Sequence, residues 1–492
     1  MLNKISFLLC MALLGSWAMQ AQTFSDALRY SNFQIGGTAR SMGAGSAMGA
    51  LGSDFSVLST NPAGLAWYRG SRFVASPTFF NARTESTLLN GDDNPTIEQN
   101  SSNFNFNSFG LIIASPARNG DWKAINVGIG LNRLGNFNED FFFEGTSQGS
   151  IVNRFQDQAN GPNGISDFES GLAIDVGALY DLEPQDGLYE SDFELAPDAP
   201  VFRSQEVISQ GAINELVFSV AGNYKERLMV GATIGVPFFR YEVNKTYREE
   251  DRGEGLDGNV PFFNALSYNE QILTTGTGVN LKLGMVVRAS QAVRIGAAVH
   301  TPTAVRLNDD FTASMGYSFT DNNGTQDFDA ESPEGSFNYR LRTPWRFIGS
   351  AGFIIQKSGF LSIEVEQVNF GNNTFEYDGF SGAEREVNTA INNELSSSWN
   401  LRLGGEYAYE AFRFRAGYGL QQSPLVGDDT FNSTISGGVG IRGKSYFVDL
   451  AYRRWSRETL YTPYLPALEN QEQIVDIQSN LGQLVATVGF IF

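Results

Sequence analysis

His300 is the only histidine in the 492 residues and Cys10 the only cysteine. A serine triad or an outer-membrane phospholipase site would have to run through His300. No serine nucleophile can be matched to it by spacing, so the chain reads as a non-enzyme. Cys10 lies in the apolar stretch ISFLLCMALL near the N-terminus. A chain cleaved beyond that stretch has no thiol chemistry, disulfide or cysteine–zinc site. GAGSAMG, beginning at Gly43, puts Met48 where a dinucleotide fingerprint needs its third glycine, and no strand precedes it. DFDAE, beginning at Asp327, lacks the glycine spacing of an EF-hand loop and reads as a solvated acidic loop. No cofactor and no metal are therefore expected. A net charge of −20 removes nucleic acid as a partner, because phosphate binding needs a basic face.

What remains is ionic: Glu364, Glu366, Arg402, Glu406, Arg413, Arg415, Arg442, Asp449 and Arg453. Their meaning depends on the elements that carry them. Charged residues are only 18% of the chain, while aromatics reach 13% and glycine 53 residues. From Ala124 to Asn132, Ile125, Val127, Ile129 and Leu131 alternate with small or polar residues, and Leu228–Val236 and Tyr446–Arg453 alternate in the same way. Segments of about ten residues, greasy on one side and small or polar on the other, suit an outer-membrane strand. No stretch reaches the roughly 18 apolar residues of a spanning helix.

About fourteen such segments lie between Arg72 and Phe492, the tenth beginning near Ala390. Joins after even-numbered segments are tight, such as KER at 225–227 and SQ at 290–291. Those after odd-numbered segments are long: Phe143 to Ile213, Glu249 to Ala265, Ser318 to Gly335 and Gly379 to Thr389. The asymmetry predicts an all-β fold, an antiparallel transmembrane β-barrel of about 14 strands. It must close, because each unpaired backbone group in hydrocarbon costs several kcal/mol. Residues 71–492 are assigned to it, with 144–213 as a long extracellular loop containing helices. The final LVATVGFIF puts Leu484, Ala486, Val488, Phe490 and Phe492 on one lipid-facing row. A terminal aromatic of this kind is what the barrel-insertion machinery reads, so that machinery is an expected partner during assembly. Phe141, Phe142, Phe143, Phe238 and Phe239 are expected in the aromatic girdles.

Strand parity turns the ionic residues, and His300, into the lumen. The middle inward positions of the third, fifth and seventh strands are small and mostly uncharged. The expectation is a two-sided lumen, in which the charged wall either only stiffens the barrel or holds a plug while ligands pass along the smooth side. Ahead of the strands, Lys4, the apolar stretch and MQAQ form a signal peptide, residues 1–21, cleaved after Ala21. It implies export to the periplasm and a place in the bacterial outer membrane. Residues 22–70 are rich in Gly, Ala and Ser, too irregular for the barrel wall, and read as a plug within it. Asn61 is a good N-cap and Pro62 suits the first helical position, so Asn61, Pro62, Ala63 and Gly64 read as a capped turn. Asp54 is expected to cap another.

GGTARSMGAGSAMGALGSDFSVLSTNPAGLAWYR, with LGMVVRASQAVRIGAAVHTPT, TPWRFIGSAGF, LRLGGEYAYEAFRFRAGYGL and GGVGIRGKSYFVDLAYRRW, resembles the FadL/TodX family over nearly all of the chain. Members of that family transport long-chain fatty acids and other hydrophobic compounds across the outer membrane. The resemblance makes Asn61, Pro62 and Ala63 the hatch motif and implies a fourteen-stranded barrel, a hydrophobic small-molecule ligand and contact with outer-membrane lipid. It also implies release through a gap beside the third strand. Gly128 and Gly130 lie mid-strand there, where glycine favours a kink, and an exit is expected near them. Within the long loop, SDFESGLAIDVGALY opens with a capping box, Ser166 and Glu169, and carries Phe168, Leu172, Val176 and Leu179 along one helical face. That face either just folds down the big loop or, as the resemblance implies, is a ligand contact at the outer mouth. The alternative to transport is a partner-binding or secretion-associated barrel.

Overall fold

The computed structural model describes residues 23–492 except 92, 118–119, 163, 184–186, 254–257 and 466–470. The expected signal peptide, 1–21, lies outside the described residues. Nineteen hydrogen-bonded segments form one sheet that closes on itself, the first pairing with the last. Several segments continue one another in line across short breaks, and joining them gives fourteen antiparallel barrel strands. These are β1 (Arg72–Leu88), β2 (Thr96–Pro116), β3 (Trp122–Asn136 and Glu139–Gln148), β4 (Pro200–Tyr224), β5 (Leu228–Glu250), β6 (Phe263–Arg288) and β7 (Val293–His300 and Ala304–Asp321). There follow β8 (Gly324–Glu331, Gly335–Arg342 and Arg346–Ile355), β9 (Gly359–Asn369 and Thr374–Glu376), β10 (Ser397–Tyr409), β11 (Phe412–Gln422), β12 (Phe431–Arg442), β13 (Tyr446–Tyr461) and β14 (Val475–Ile491). The helices are α1 (Phe24–Ser31), α2 (Ala39–Gly43), α3 (Ile151–Asn160), α4 (Ser170–Asp175) and α5 (Ser381–Glu394).

The outer face is apolar, as the alternation requires. Ile125, Val127, Ile129, Leu131, Val448, Leu450, Phe490 and Phe492 are all exposed. An apolar band on a closed barrel faces hydrocarbon, since closure leaves no backbone group unpaired at an edge. No helix among the described residues is long and apolar enough to cross a membrane.

Four sequence expectations shift. Ser318 to Gly335, expected as a long connection with a loop at Asp327, is a hairpin: β7 runs to Asp321 and β8 begins at Gly324, paired in register. The segment near Ala390 is helix, not strand: Val387 and Ile391 are buried four residues apart on α5, and β10 begins at Ser397. A short stretch does not separate a period of 3.6 from a period of 2. The connection between β3 and β4 spans 149–199, shorter than 144–213, because both strands run well beyond the apolar band. Of the five phenylalanines expected in girdles, Phe143 and Phe239 are buried inside while Phe238 is exposed. Successive side chains of a strand cannot share a face.

β3 is the irregular strand. Below, it pairs with β2 from Pro116↔Ala124 up to Ser108↔Asn132 and no further. Above that point β2 pairs only with β1, and β3 stays with β4 across a register shift at Arg133/Gly135. The upper arm of β3 then passes inward of β1, where Thr84 Oγ1 donates to Asp140 O at 2.6 Å and Ser479 Oγ of β14 donates to Glu139. The wall is therefore split between β2 and β3 above Ser108 and Asn132. Asn107 forms a bulge on β2 at the same level, at the Ser76/Pro77 shift. The ladders run unbroken through Gly128 and Gly130, so the kink expected at those glycines sits a few residues higher.

Candidate functional site

Most of residues 23–70 are buried, and their short helices and turns contact strands on several sides of the barrel. Asn61 organises the turn at Pro62–Trp67: its Oδ1 accepts from Ala63 N at 3.2 Å, and its Nδ2 donates to Gly49 O at 2.9 Å and Met285 O at 3.3 Å. One side chain thus caps the turn, ties it to the preceding loop and fixes it to β6. The turn rests on wall positions that have no side chain. A Cβ at Gly284 would lie 2.0 Å from Asn61 Oδ1, and one at Gly231 would lie 2.5 Å from the Pro62 carbonyl. Gly64 is packed against Gly52 and Val57. Asp54 caps the turn at Phe55–Leu58 through Ser56 N at 3.0 Å and also accepts from Thr38 Oγ1 at 2.7 Å. Gly128 and Gly130 face inward, where Leu58 and Phe55 fill the space. The wall expected to offer a smooth lane is therefore occupied. Small side chains there permit close approach of the N-terminal segment, and parity alone did not say what would lie against them.

The ionic wall is a network of two clusters. Arg402 on β10 bridges to Glu364 at 2.9 Å and to Glu366, both on β9. Arg415 on β11 bonds Glu406 at 2.7 Å and Asp449 at 2.8 Å, and Arg442 adds a contact to Asp449 at 3.3 Å. Arg453 donates to Gln483 at 2.7 Å. Arg413 stands apart: it folds onto the β10–β11 turn and donates to the carbonyls of Glu410 and Phe412. The network also holds the N-terminal segment, since Gly49 N donates to Glu364 at 2.9 Å and Arg40 Nε reaches Glu406 at 3.4 Å.

Sequence reading missed its continuation across the even-numbered strands. Arg346 on β8 bonds Glu366 at 2.8 Å, and Lys282 on β6 pairs with Glu215 on β4. Ser59 Oγ donates to Glu215 at 2.8 Å, and His300 Nε2 lies 2.6 Å from Thr60 O. Arg346, Glu366, Lys282, Glu215, Ser59 and His300 line a cavity of about 20 Å³ with Phe33, Ile35 and Leu134, room for about one water. The same inward parity, applied to β4, β6 and β8, would have found them.

The split between β2 and β3 is backed by the N-terminal segment. Gln34 N donates to Leu134 O at 2.7 Å and Gly36 N to Arg133 O at 2.8 Å. A Cβ at Gly36 would lie 2.9 Å from Asn107. Buried polar atoms without a partner gather here: Asn105 Oδ1, Asn107 Nδ2, Ser108 Oγ, Asn132 Oδ1, Arg133 Nε and Asn136 Nδ2. Buried polar groups are nearly always paired, so the cluster marks a place where the wall is incompletely made.

At the outer mouth, Leu172, Val176 and Leu179 are fully buried with Phe155, Phe193 and Phe263 in the core of the outer lobe. Phe168 is half-buried against Phe311, ring centroids 4.7 Å apart. The helix is shorter than expected, and its capping box does not form. Arg154 takes the Glu169 carboxylate at 2.7 Å, with Gln158 on the other oxygen. The apolar row serves the lobe's own core. Among the described residues no cluster of His, Cys, Asp and Glu is arranged to hold a metal ion.

No protein-family model matches the sequence, and no curated protein matches it. Solved structures do match the fold. A Pseudomonas aeruginosa FadL homologue superposes with a TM-score of 0.52 at 12% identity, over 94% of this chain and 99% of that one. The Pseudomonas putida toluene transporter TodX gives 0.51 at 12% identity, over 94% and 100%. The resemblance to the FadL/TodX family read from the sequence thus extends to the fold.

Proposed function

We propose that the chain is an outer-membrane channel that takes up hydrophobic or amphipathic small molecules, foremost a long-chain fatty acid or similar lipid, and releases them sideways through its wall. The split between β2 and β3 is the observation that carries this reading. A molecule leaving an apolar site for water loses about 0.8 kcal/mol per methylene. A gap in the wall spares it that cost by opening onto membrane rather than onto solvent. In this reading residues 22–70 are the hatch, with Asn61, Pro62, Ala63 and Gly64 as its pinned turn. The strip from Asn32 to Gly36 closes the split from within, and its displacement would open the route. Gly128 and Gly130 lie just below the exit and seat the hatch through Leu58 and Phe55. The named transporter of toluene among similar folds supports the hydrophobic class of ligand. Export would use residues 1–21, and insertion the terminal Phe492.

The test is a reversible staple. Cysteines at Phe106 and Arg133, on either side of the split, are joined by a short bifunctional thiol reagent cleavable by reductant. Uptake of labelled oleate should stop on cross-linking and return on reduction, while oleate binding to the purified barrel persists. Uptake that ignores the staple would move the exit elsewhere. If cells with and without the protein take up oleate and other lipid classes equally, and the purified barrel binds none of them, transport is wrong. A partner-binding or secretion-associated barrel then replaces it.

A further inference from the structure

On the opposite wall β7, β8 and β9 break at one height: at Thr301–Thr303, Thr343–Trp345 and Phe370–Asn373. Pro302 and Pro344 face each other there, and neither can donate to a ladder. The outer surface changes character at this level. Below it, Leu283, Met285, Ala297, Val299, Phe347 and Trp399 line a groove of about 750 Å³ on the lipid-facing side. Its floor is low because Ala297 and Gly349 are small, and a Cβ at Gly349 would touch nothing within 4 Å. Trp345 stands exposed at the break, stacked at 14° on Phe347. An exposed tryptophan beside an apolar band marks the headgroup level. Just above it Arg342 on β8 and Arg306 on β7 point outward. Arg306 pairs in register with Arg340, whose charge is taken by Glu376 and Asp378. Arg306 and Arg342 themselves have no carboxylate or side-chain hydrogen-bond partner among the described residues.

We propose that this face is a docking site for one anionic phospholipid of the surrounding leaflet, its phosphate held by Arg306 and Arg342 and its acyl chains lying in the groove. Diagonal cross-strand neighbours stand about 7–8 Å apart, so two guanidinium forks can converge on one phosphate, whose oxygens they match. At about 3.3 Å per residue Trp345 lies roughly 10 Å below Arg342 along the strand, and Phe347 two residues further down. The site is thus charged at and just above headgroup depth and apolar where the groove begins below it. This inference is independent of what the barrel transports.

The experiment is native mass spectrometry of the full barrel released from micelles doped with phosphatidylglycerol, phosphatidylcholine or oleate. The wild-type barrel should retain one phosphatidylglycerol in preference to phosphatidylcholine. Arg306→Gln with Arg342→Gln should weaken that one binding event roughly thirtyfold, the effect of two surface arginines. Gly349→Trp, which fills the groove and leaves both charges, should weaken it as well. Both positions face outward, and heat-modifiability confirms that each variant is folded. Equal retention of phosphatidylglycerol by wild type and the double-arginine variant overturns the proposal. So does a loss confined to oleate, which would make the groove a seat for free fatty acid instead.

Discussion

Asn61 makes three polar contacts from one side chain, and each joins a different part of the molecule. Asn61→Ala removes a cap alone worth roughly 0.5–2 kcal/mol, and with it the tie to β6. The barrel should still assemble but leak small polar solutes, seen as raised single-channel conductance. Gly284→Ala should give the same leak from the wall side, since its Cβ would occupy the Asn61 Oδ1 position. Wild-type conductance in both variants would show that the turn is not a seal. The ionic wall is a different kind of contact. Arg415 and Asp449 are both fully buried, and removing one partner of such a pair costs about 3–5 kcal/mol. Arg415→Met should therefore lower the denaturant midpoint of the folded barrel without altering its conductance, because Asp449 keeps only the 3.3 Å contact to Arg442 and Glu406 only the 3.4 Å contact to Arg40.

Among the elements, β3 departs furthest from a regular barrel strand, and its departure is local. Glycines permit close packing at Gly128 and Gly130, but the strand leaves β2 only above Asn132, where the bulge at Asn107 ends the common register. The outer lobe over 149–199 packs against the upper ends of the strands, Phe263 of β6 and Tyr317 of β7 among them. Asp192 there receives hydroxyls from Tyr180 at 3.1 Å and Tyr317 at 3.0 Å, yet burial raises its carboxyl above the ordinary value. A raised folded value means the protonated form is favoured on folding. The stabilisation is complete below the ordinary carboxylate range and declines as pH rises through the folded value. Protection from hydrogen exchange in 149–199, taken relative to the intrinsic rate at each pH, should accordingly rise on acidification through that window. Asp192→Asn should abolish the pH dependence, and an unchanged profile in that variant would assign it to another group.

The whole barrel depends on its last strand meeting its first. β14 pairs with β13 on one side and with β1 on the other, and Phe492 N donates to Ser71 O at 3.1 Å. Phe492 itself is 72% exposed and ends the outward row that includes Phe490. It stabilises little by packing, so its value should lie in assembly. Deleting it, or replacing it with Asp, should reduce heat-modifiable barrel in the outer membrane while export across the inner membrane continues. Equal amounts of assembled protein would count against a role for the terminal aromatic.

The sequence by itself determined the strand count, the outward row on each strand, the side of the long connections and the capped turn at Asn61. These follow from a period of two and from local capping chemistry, both written in neighbouring residues. It also placed Glu364, Glu366, Arg402, Glu406, Arg415, Asp449 and Arg453 inside, since parity fixes direction. Tertiary structure alone decided what those side chains meet. Arg346 joins the wall from β8 through Glu366, Lys282 and Glu215 form a separate pair on β6 and β4, and Arg413 leaves the wall for a turn. The glycines of the smooth wall proved to be seats for Leu58, Phe55 and Pro62, since what fills the space above a glycine comes from elsewhere in the chain. The split between β2 and β3 is likewise a property of pairing across strands. Register between distant segments is set by the closed barrel and the segment it encloses, and no single strand carries it.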